Sequence, residues 1–204
     1  MKKNEEEEMK LKNIVLLSLV ALALANAAER DTVRVFSDSG ALQELYTVKK
    51  GSSVRDGHFV SYYPNGKVGV EAEYKEGKLD GLYRSFYANG SLWQEIHYAN
   101  GEEHGESKTF YDSGKLKNQD FYSIGMLEGI SKSWDVNGTL RSEFRYENGR
   151  VQGVAKMFND QGLISEDMEF VNGVREGVYH KYNKGIVVHT AKFSRNRCVE
   201  NCDF

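Results

Sequence analysis

Histidine, serine, cysteine and paired carboxylates are the side chains with which this chain could do chemistry, and their spacing argues against each such use in turn. His58, His97, His104, His180 and His189 never fall into HExxH or another metal-ligand spacing. They read as ordinary strand and turn residues. No serine sits in a GxSxG elbow, and neither cysteine has a nearby histidine arrangement that would make it a nucleophile. Glu71 and Glu95 recur beside aromatic residues, but two carboxylates do glycosidase work only when a cleft holds them across a substrate. A ribbon of strands offers no cleft. The reading is therefore of no catalytic residues, no metal site and no cofactor.

Cys198 and Cys202 stand as CxxxC near the C-terminus. Two ligands do not fill a tetrahedral metal shell, whereas an even cysteine count in an oxidising compartment suggests a disulfide. Such a compartment is itself expected. Residues 13–25 form an apolar stretch preceded by Lys10 and Lys12 and followed by Asn26, Ala27 and Ala28, the pattern of a signal peptide with Ala25-Asn26-Ala27 as its small-x-small cleavage site. The stretch is too short to span a bilayer, which takes about 20 apolar residues. Residues 1–27 read as a signal peptide, with Met9 a second candidate start behind four glutamates. Residues 1–27 carry four basic and four acidic side chains, so cleavage leaves the formal net charge of -3 unchanged. That balance argues against nucleic acid as a partner, because phosphate recognition needs a basic excess. The expected location is the periplasm, the cell surface or the medium.

Glycine organises the rest. It recurs at 57, 81, 105, 129, 153 and 177, always 24 residues apart, and the residues between recur with it. Counting from each glycine, an aromatic stands at offset 5 (Tyr62, Phe86, Phe110, Trp134, Phe158, Tyr182) and an aliphatic at offset 11 (Val68, Leu92, Leu116, Leu140, Ile164). A second aromatic follows at offset 17 (Tyr74, Tyr98, Tyr122, Tyr146, Phe170). Asn65-Gly66 and Asn89-Gly90 at offsets 8 and 9 read as hairpin turns, and the glycine at offset 20 as the return turn. A period of this length means stacked units that cannot bury their apolar faces alone.

The expected fold is all-β: an elongated single antiparallel sheet of tandem 24-residue β-hairpin repeats, on the order of 65 Å long at the usual strand spacing. Residues 28–56 read as a divergent first repeat, 57–185 as the tandem array, and 186–204 as a cap with the cysteine tail. If both strands alternate regularly from the turn, offsets 1, 5, 11, 15 and 17 share one face, and that face is the core. The charge columns Arg84, Lys108, Lys132, Lys156 (offset 3) and Glu71, Glu95, Glu143, Asp167 (offset 14, with Gln119 interrupting) pair across strands if they face each other. A bulge at the turn glycine would put them on opposite faces.

The remaining even-offset face carries Phe59, Tyr63, Tyr83, Tyr87, Trp93 and Tyr111 in repeats two to four. The later equivalents are Ser131, Asp135, Ala155 and Asn159. An aromatic cluster at one end of a solvent-facing ribbon reads as a binding patch.

The unit Gly-x4-Tyr/Phe-x3-Gly-x-Leu-x5-Tyr-x2-Gly-x3-Gly, best preserved in Tyr62-Tyr63-Pro64-Asn65-Gly66-Lys67-Val68, resembles the variant MORN repeat of bacterial proteins in the YwqK-type antitoxin family. That resemblance implies an elongated sheet of hairpins, an interaction or scaffold role with protein or membrane contacts, and no catalysis. The functional expectation is an exported, non-catalytic repeat scaffold that meets a protein or the cell envelope through the aromatic face of the N-terminal repeats. Two alternatives stand beside it: a binder of carbohydrate or envelope polymer, since aromatic rings beside carboxylates suit sugars, and an antitoxin-like inhibitor of a partner protein.

Overall fold

The computed structural model describes residues 29–203; the signal-peptide reading of residues 1–27 lies outside them. The described chain is one 17-stranded antiparallel sheet. Its strands are β1 (Arg30–Phe36), β2 (Leu42–Lys49), β3 (Arg55–Tyr62), β4 (Val68–Lys75), β5 (Lys78–Phe86), β6 (Leu92–Ala99), β7 (Glu102–Phe110) and β8 (Leu116–Ser123). They continue with β9 (Met126–Leu127), β10 (Gly129–Trp134), β11 (Leu140–Glu147), β12 (Arg150–Val151), β13 (Gly153–Phe158), β14 (Ile164–Val171), β15 (Val174–Asn183), β16 (Ile186–Ser194) and β17 (Arg197–Glu200). The path is a meander. Each strand pairs with its neighbours along the chain, the short β9 and β12 being the first halves of strands that resume as β10 and β13.

Two kinds of turn build the repeat. At Tyr63 to Lys67 the Gly66 N–H donates to the Tyr63 carbonyl and the Tyr63 N–H to the Lys67 carbonyl, each at 2.8 Å, with Gly66 at φ 79°. A three-residue loop of this kind needs its last residue in the left-handed region, which glycine enters without strain. The return turns have two residues, both at positive φ, as in Asn100-Gly101, Asn148-Gly149 and Asn172-Gly173. Asparagine tolerates that conformation; isoleucine does not. Ile124 holds the same position at φ 51° with 66% of its surface exposed, so it carries strain and little packing. Ile124→Asn should raise stability by about 1 kcal/mol in urea unfolding; a loss would contradict the strain.

Four of the return turns are also tied to a side chain about one repeat earlier. The Glu76 N–H donates to the Asp56 carboxylate, and the Asn148, Asn172 and Arg195 N–H groups donate to Glu128, Gln152 and Glu176. The Glu76 N–H, then the Arg30 guanidinium, hold the Asp56 carboxyl below its ordinary value of 3.8. A depressed folded value means stabilisation that is present above the unfolded value and lost as pH falls through the folded one. Asp56→Ala should therefore destabilise at pH 7, with the gap to wild type narrowing as pH falls below the ordinary carboxylate range. A gap that is constant in pH would refute the carboxylate's role.

The expected single core face does not form. A bulge interrupts every hairpin one step from the turn, as where Ser61 pairs with Val70 but Tyr62 pairs with Val68. The extra residue on the second strand reverses its facing, so Phe59 stands opposite Ala72 and Tyr83 opposite Ile96. Offsets 15 and 17 thus share a face with the even offsets of the first strand, while offsets 1, 5 and 11 lie on the other. Each face is half-covered by its own rings. Trp134, expected to be a buried ring of the core, is half-buried against its pair Leu140.

The charge columns do face each other, and they join into one cross-strand row: Glu71, Arg84, Glu95, Lys108, Gln119, Lys132, Glu143, Lys156, Asp167 and His180. Arg84 meets Glu95 at 2.7 Å, and Glu143 lies between Lys132 and Lys156 at 3.4 and 3.7 Å. Gln119 breaks the alternation. There Glu106 reaches in from offset 1, accepting from Lys108 and Gln119, and these two bonds pull its carboxyl below the ordinary range, Lys108 most strongly.

Cys198 and Cys202 are joined in a disulfide beside the last strand. Cys198 packs against Met168, Ala191 and Phe193. The bridge closes a loop of only four residues' separation, so its reduction should raise amide hydrogen exchange in 197–203 while β15 holds its protection. Loss of protection throughout β15 would show that the bridge stabilises more than the edge.

Candidate functional site

Phe59, Tyr63, Tyr83, Tyr87, Trp93 and Tyr111 lie on one face, because first-strand positions alternate and the bulge carries the second strand onto the same side. They are not, however, a free patch. Phe59 is only 8% exposed, packed between Tyr46 at 6.1 Å and Tyr74 at 6.0 Å. Tyr83 is half-buried edge-on to Tyr98 at 6.0 Å. Tyr63, Tyr87 and Tyr111 donate their hydroxyls to the carbonyls of Phe86, Phe110 and Trp134 in the next repeat, at 2.7, 2.8 and 2.8 Å. These three are rungs between repeats. Trp93 alone among the six is openly exposed, at 47%, leaning on Tyr87.

What this face presents instead runs through its middle. Tyr74, Tyr98, Tyr122 and Tyr146 form a column along the sheet, and each faces a cross-strand partner: Leu79, Glu103, Leu127 and Val151. Glu103 is thus a carboxylate in an otherwise apolar row. Burial pushes its carboxyl up, and Asp120 nearby pushes it the same way. Asp120 in turn faces Ser107 and accepts from the Ser131 hydroxyl at 2.6 Å. Burial likewise raises the phenols of Tyr83, Tyr98, Tyr122 and Tyr146. Rings that keep their protons beside half-buried carboxylates suit a cation or a polar ring laid on the face.

The same face already holds cations elsewhere. In the first array repeat, Arg55 occupies the position that Glu103 takes two repeats later, its guanidinium 4.9, 4.7 and 5.5 Å from the Tyr46, Phe59 and Tyr74 ring centres. Lys117 lies 5.6 Å from the Tyr111 ring. Counting aromatics found the columns but missed Glu103 and Asp120. The available signal was the break in a repeated position: a glutamate where the other repeats carry leucine, valine or arginine.

Residues 55–76, 79–100, 103–123 and 127–148 match the MORN repeat variant. Four of the hairpin units are thus similar to MORN repeats. The last three matched segments begin at Leu79, Glu103 and Leu127, each opposite a tyrosine of the column, and the same hairpin geometry continues beyond the last match through β16. No curated protein matches the chain. Among solved structures it is similar to a mutant of S. aureus TarM in complex with Fondaparinux, alpha-GlcNAc-glycerol and UDP, at 12% identity and a TM-score of 0.33 over 65% of this chain and 23% of that one. A second TarM structure gives 12% identity and 0.31 over 64% and 24%. The chain spans about a quarter of the length of these proteins. Among the described residues no group of three or more His, Cys, Asp or Glu side chains is placed to hold a metal ion, and no helix is long and apolar enough to cross a membrane.

Proposed function

We propose that this chain is an exported, non-catalytic repeat scaffold whose tyrosine column takes an arginine or lysine of a protein partner between Tyr98 and Tyr122, against Glu103 and Asp120. MORN repeats support the scaffold role. The observation that carries the rest is the Arg55 guanidinium lying over three rings of this face, with a half-buried glutamate in the equivalent place at Glu103. An incoming cation there would gain ring contacts and an ion pair away from bulk water, each stronger than on an open surface. The carbohydrate reading rests on the exposed Trp93 ring, which offers a stacking platform. Export rests on the apolar stretch and cleavage site of residues 13–27, and processing before Ala28 is the corresponding expectation.

The test is capture from an envelope fraction by the exported protein and by its Glu103→Gln/Asp120→Asn variant, followed by calorimetry with the partner identified. Capture should fail with the variant and fall steeply with salt, and replacing one basic residue of the partner should reproduce the loss. A partner held equally by both proteins would sink the proposal. Binding on a glycan array that depends on Trp93 and not on Glu103 would replace it with the carbohydrate reading.

A further inference from the structure

The formal charge of -3 is unevenly spread: residues 174–200 carry Arg175, Lys181, Lys184, Lys192, Arg195 and Arg197 against Glu176 and Glu200. This basic end of the tyrosine face also holds a recess of about 380 Å³. Ala155, 4% exposed, stands where Phe59 and Tyr83 carry rings in earlier repeats, and it leaves a hollow lined by Phe144, Met157, Met168, Phe170 and Tyr179. Ligand sites commonly have this volume and lining. Two methionines let the walls adapt to a flexible chain.

The charged groups of the lining are unequal. Asp167 is engaged by His180 at 2.8 Å and by the Tyr182 hydroxyl at 2.7 Å. Glu166 accepts from the Tyr179 hydroxyl and has Lys181 as its cross-strand neighbour. Arg175 is different. It lies 5.8 Å from the Phe193 ring and makes no ion pair among the described residues. We infer that this recess binds a small apolar carboxylate, its hydrocarbon body over Ala155 between Phe144 and Tyr179 and its head on the Arg175 guanidinium. A guanidinium fork on the rim of an apolar hollow selects an anionic head over a neutral or cationic one, and the basic excess of β15 to β17 offsets the carboxylates of β14. The inference stands independently of the protein partner proposed above.

Calorimetric titration of the full chain with octanoate, 1-octanol and octyltrimethylammonium tests it. Octanoate should saturate one site below about 1 mM, 1-octanol should bind more weakly and the cation not at all. Arg175→Met should weaken octanoate about tenfold and leave 1-octanol unchanged. Ala155→Leu should fill the hollow and abolish both. If Ala155→Leu lowers the melting temperature, Met157→Asp at the exposed lip serves instead and should repel the anion. A cation bound as tightly as octanoate, no saturation at about 10 mM, or octanoate binding indifferent to Arg175→Met would each overturn the site.

Discussion

Gly81→Ala should cost about 2 to 3 kcal/mol in urea unfolding, a large loss for one added methyl group. Gly81 sits at φ 121°, where an L side chain is strained, and its added Cβ would lie 3.1 Å from the Cβ of Glu73 on the strand beside it. A Cβ is fixed to the backbone and cannot swing aside. The strain arises because the register slips here: Ala72 pairs with Tyr83 and Tyr74 with Leu79, leaving two extra residues on β5. Glycine at this point, repeated every 24 residues, lets the strand bulge before the next hairpin begins. Gly114→Ala is the control, since a Cβ there meets nothing within 4 Å and only the φ of 82° opposes it. It should cost less than Gly81→Ala, and equal losses would show that the close approach to Glu73 is irrelevant.

The second large effect concerns the tyrosine rungs. Replacing Tyr63, Tyr87 and Tyr111 together by phenylalanine should lower stability by about 3 kcal/mol, because each hydroxyl bonds to a carbonyl of the next repeat and a buried bond of this kind is worth about 1 kcal/mol. The acceptors Phe86, Phe110 and Trp134 all lie at bulges, where the regular ladder breaks. Alanine at the same three positions would cost more, since the half-buried rings would go as well. These three tyrosines, expected on a solvent-facing patch, instead tie one repeat to the next. Partner binding should survive the phenylalanine set wherever the fold does. A triple variant as stable as wild type would mean that the rungs only decorate the sheet.

The repeat length, the strand content and both turns were legible in the sequence because glycine and asparagine at positive φ leave few alternatives. Gly66 and Asn100 are read by their chemistry alone. Facing was not legible. One extra residue on β4, Gly69, opposite the step from Ser61 to Tyr62, decides which side Tyr74 and Ala72 take, and no residue type marks that bulge from repeat to repeat. The charge row survived the error because Arg84 and Glu95 report their pairing by opposite charge. The aromatic columns carry no such label, so alternation alone leaves Phe59 on an exposed face, whereas Ala72, small and opposite, leaves room for its ring. Glu103 and Asp120 went unread for a related reason. A carboxylate on a strand looks like a solvated face until the tyrosines beside it are placed.

The account turns on which face of the sheet meets the partner, and tyrosine nitration reads this directly. Tyr98, Tyr122 and Tyr146 lie on the proposed binding face, whereas Tyr62 lies on the charge-row face and Tyr182 donates there to Asp167. Nitration with tetranitromethane, mapped by peptide mass with and without the captured partner, should show protection at Tyr98 and Tyr122 and none at Tyr62. Protection at Tyr62 and Tyr182 with Tyr98 and Tyr122 still reactive would place the interaction on the opposite face and contradict the account.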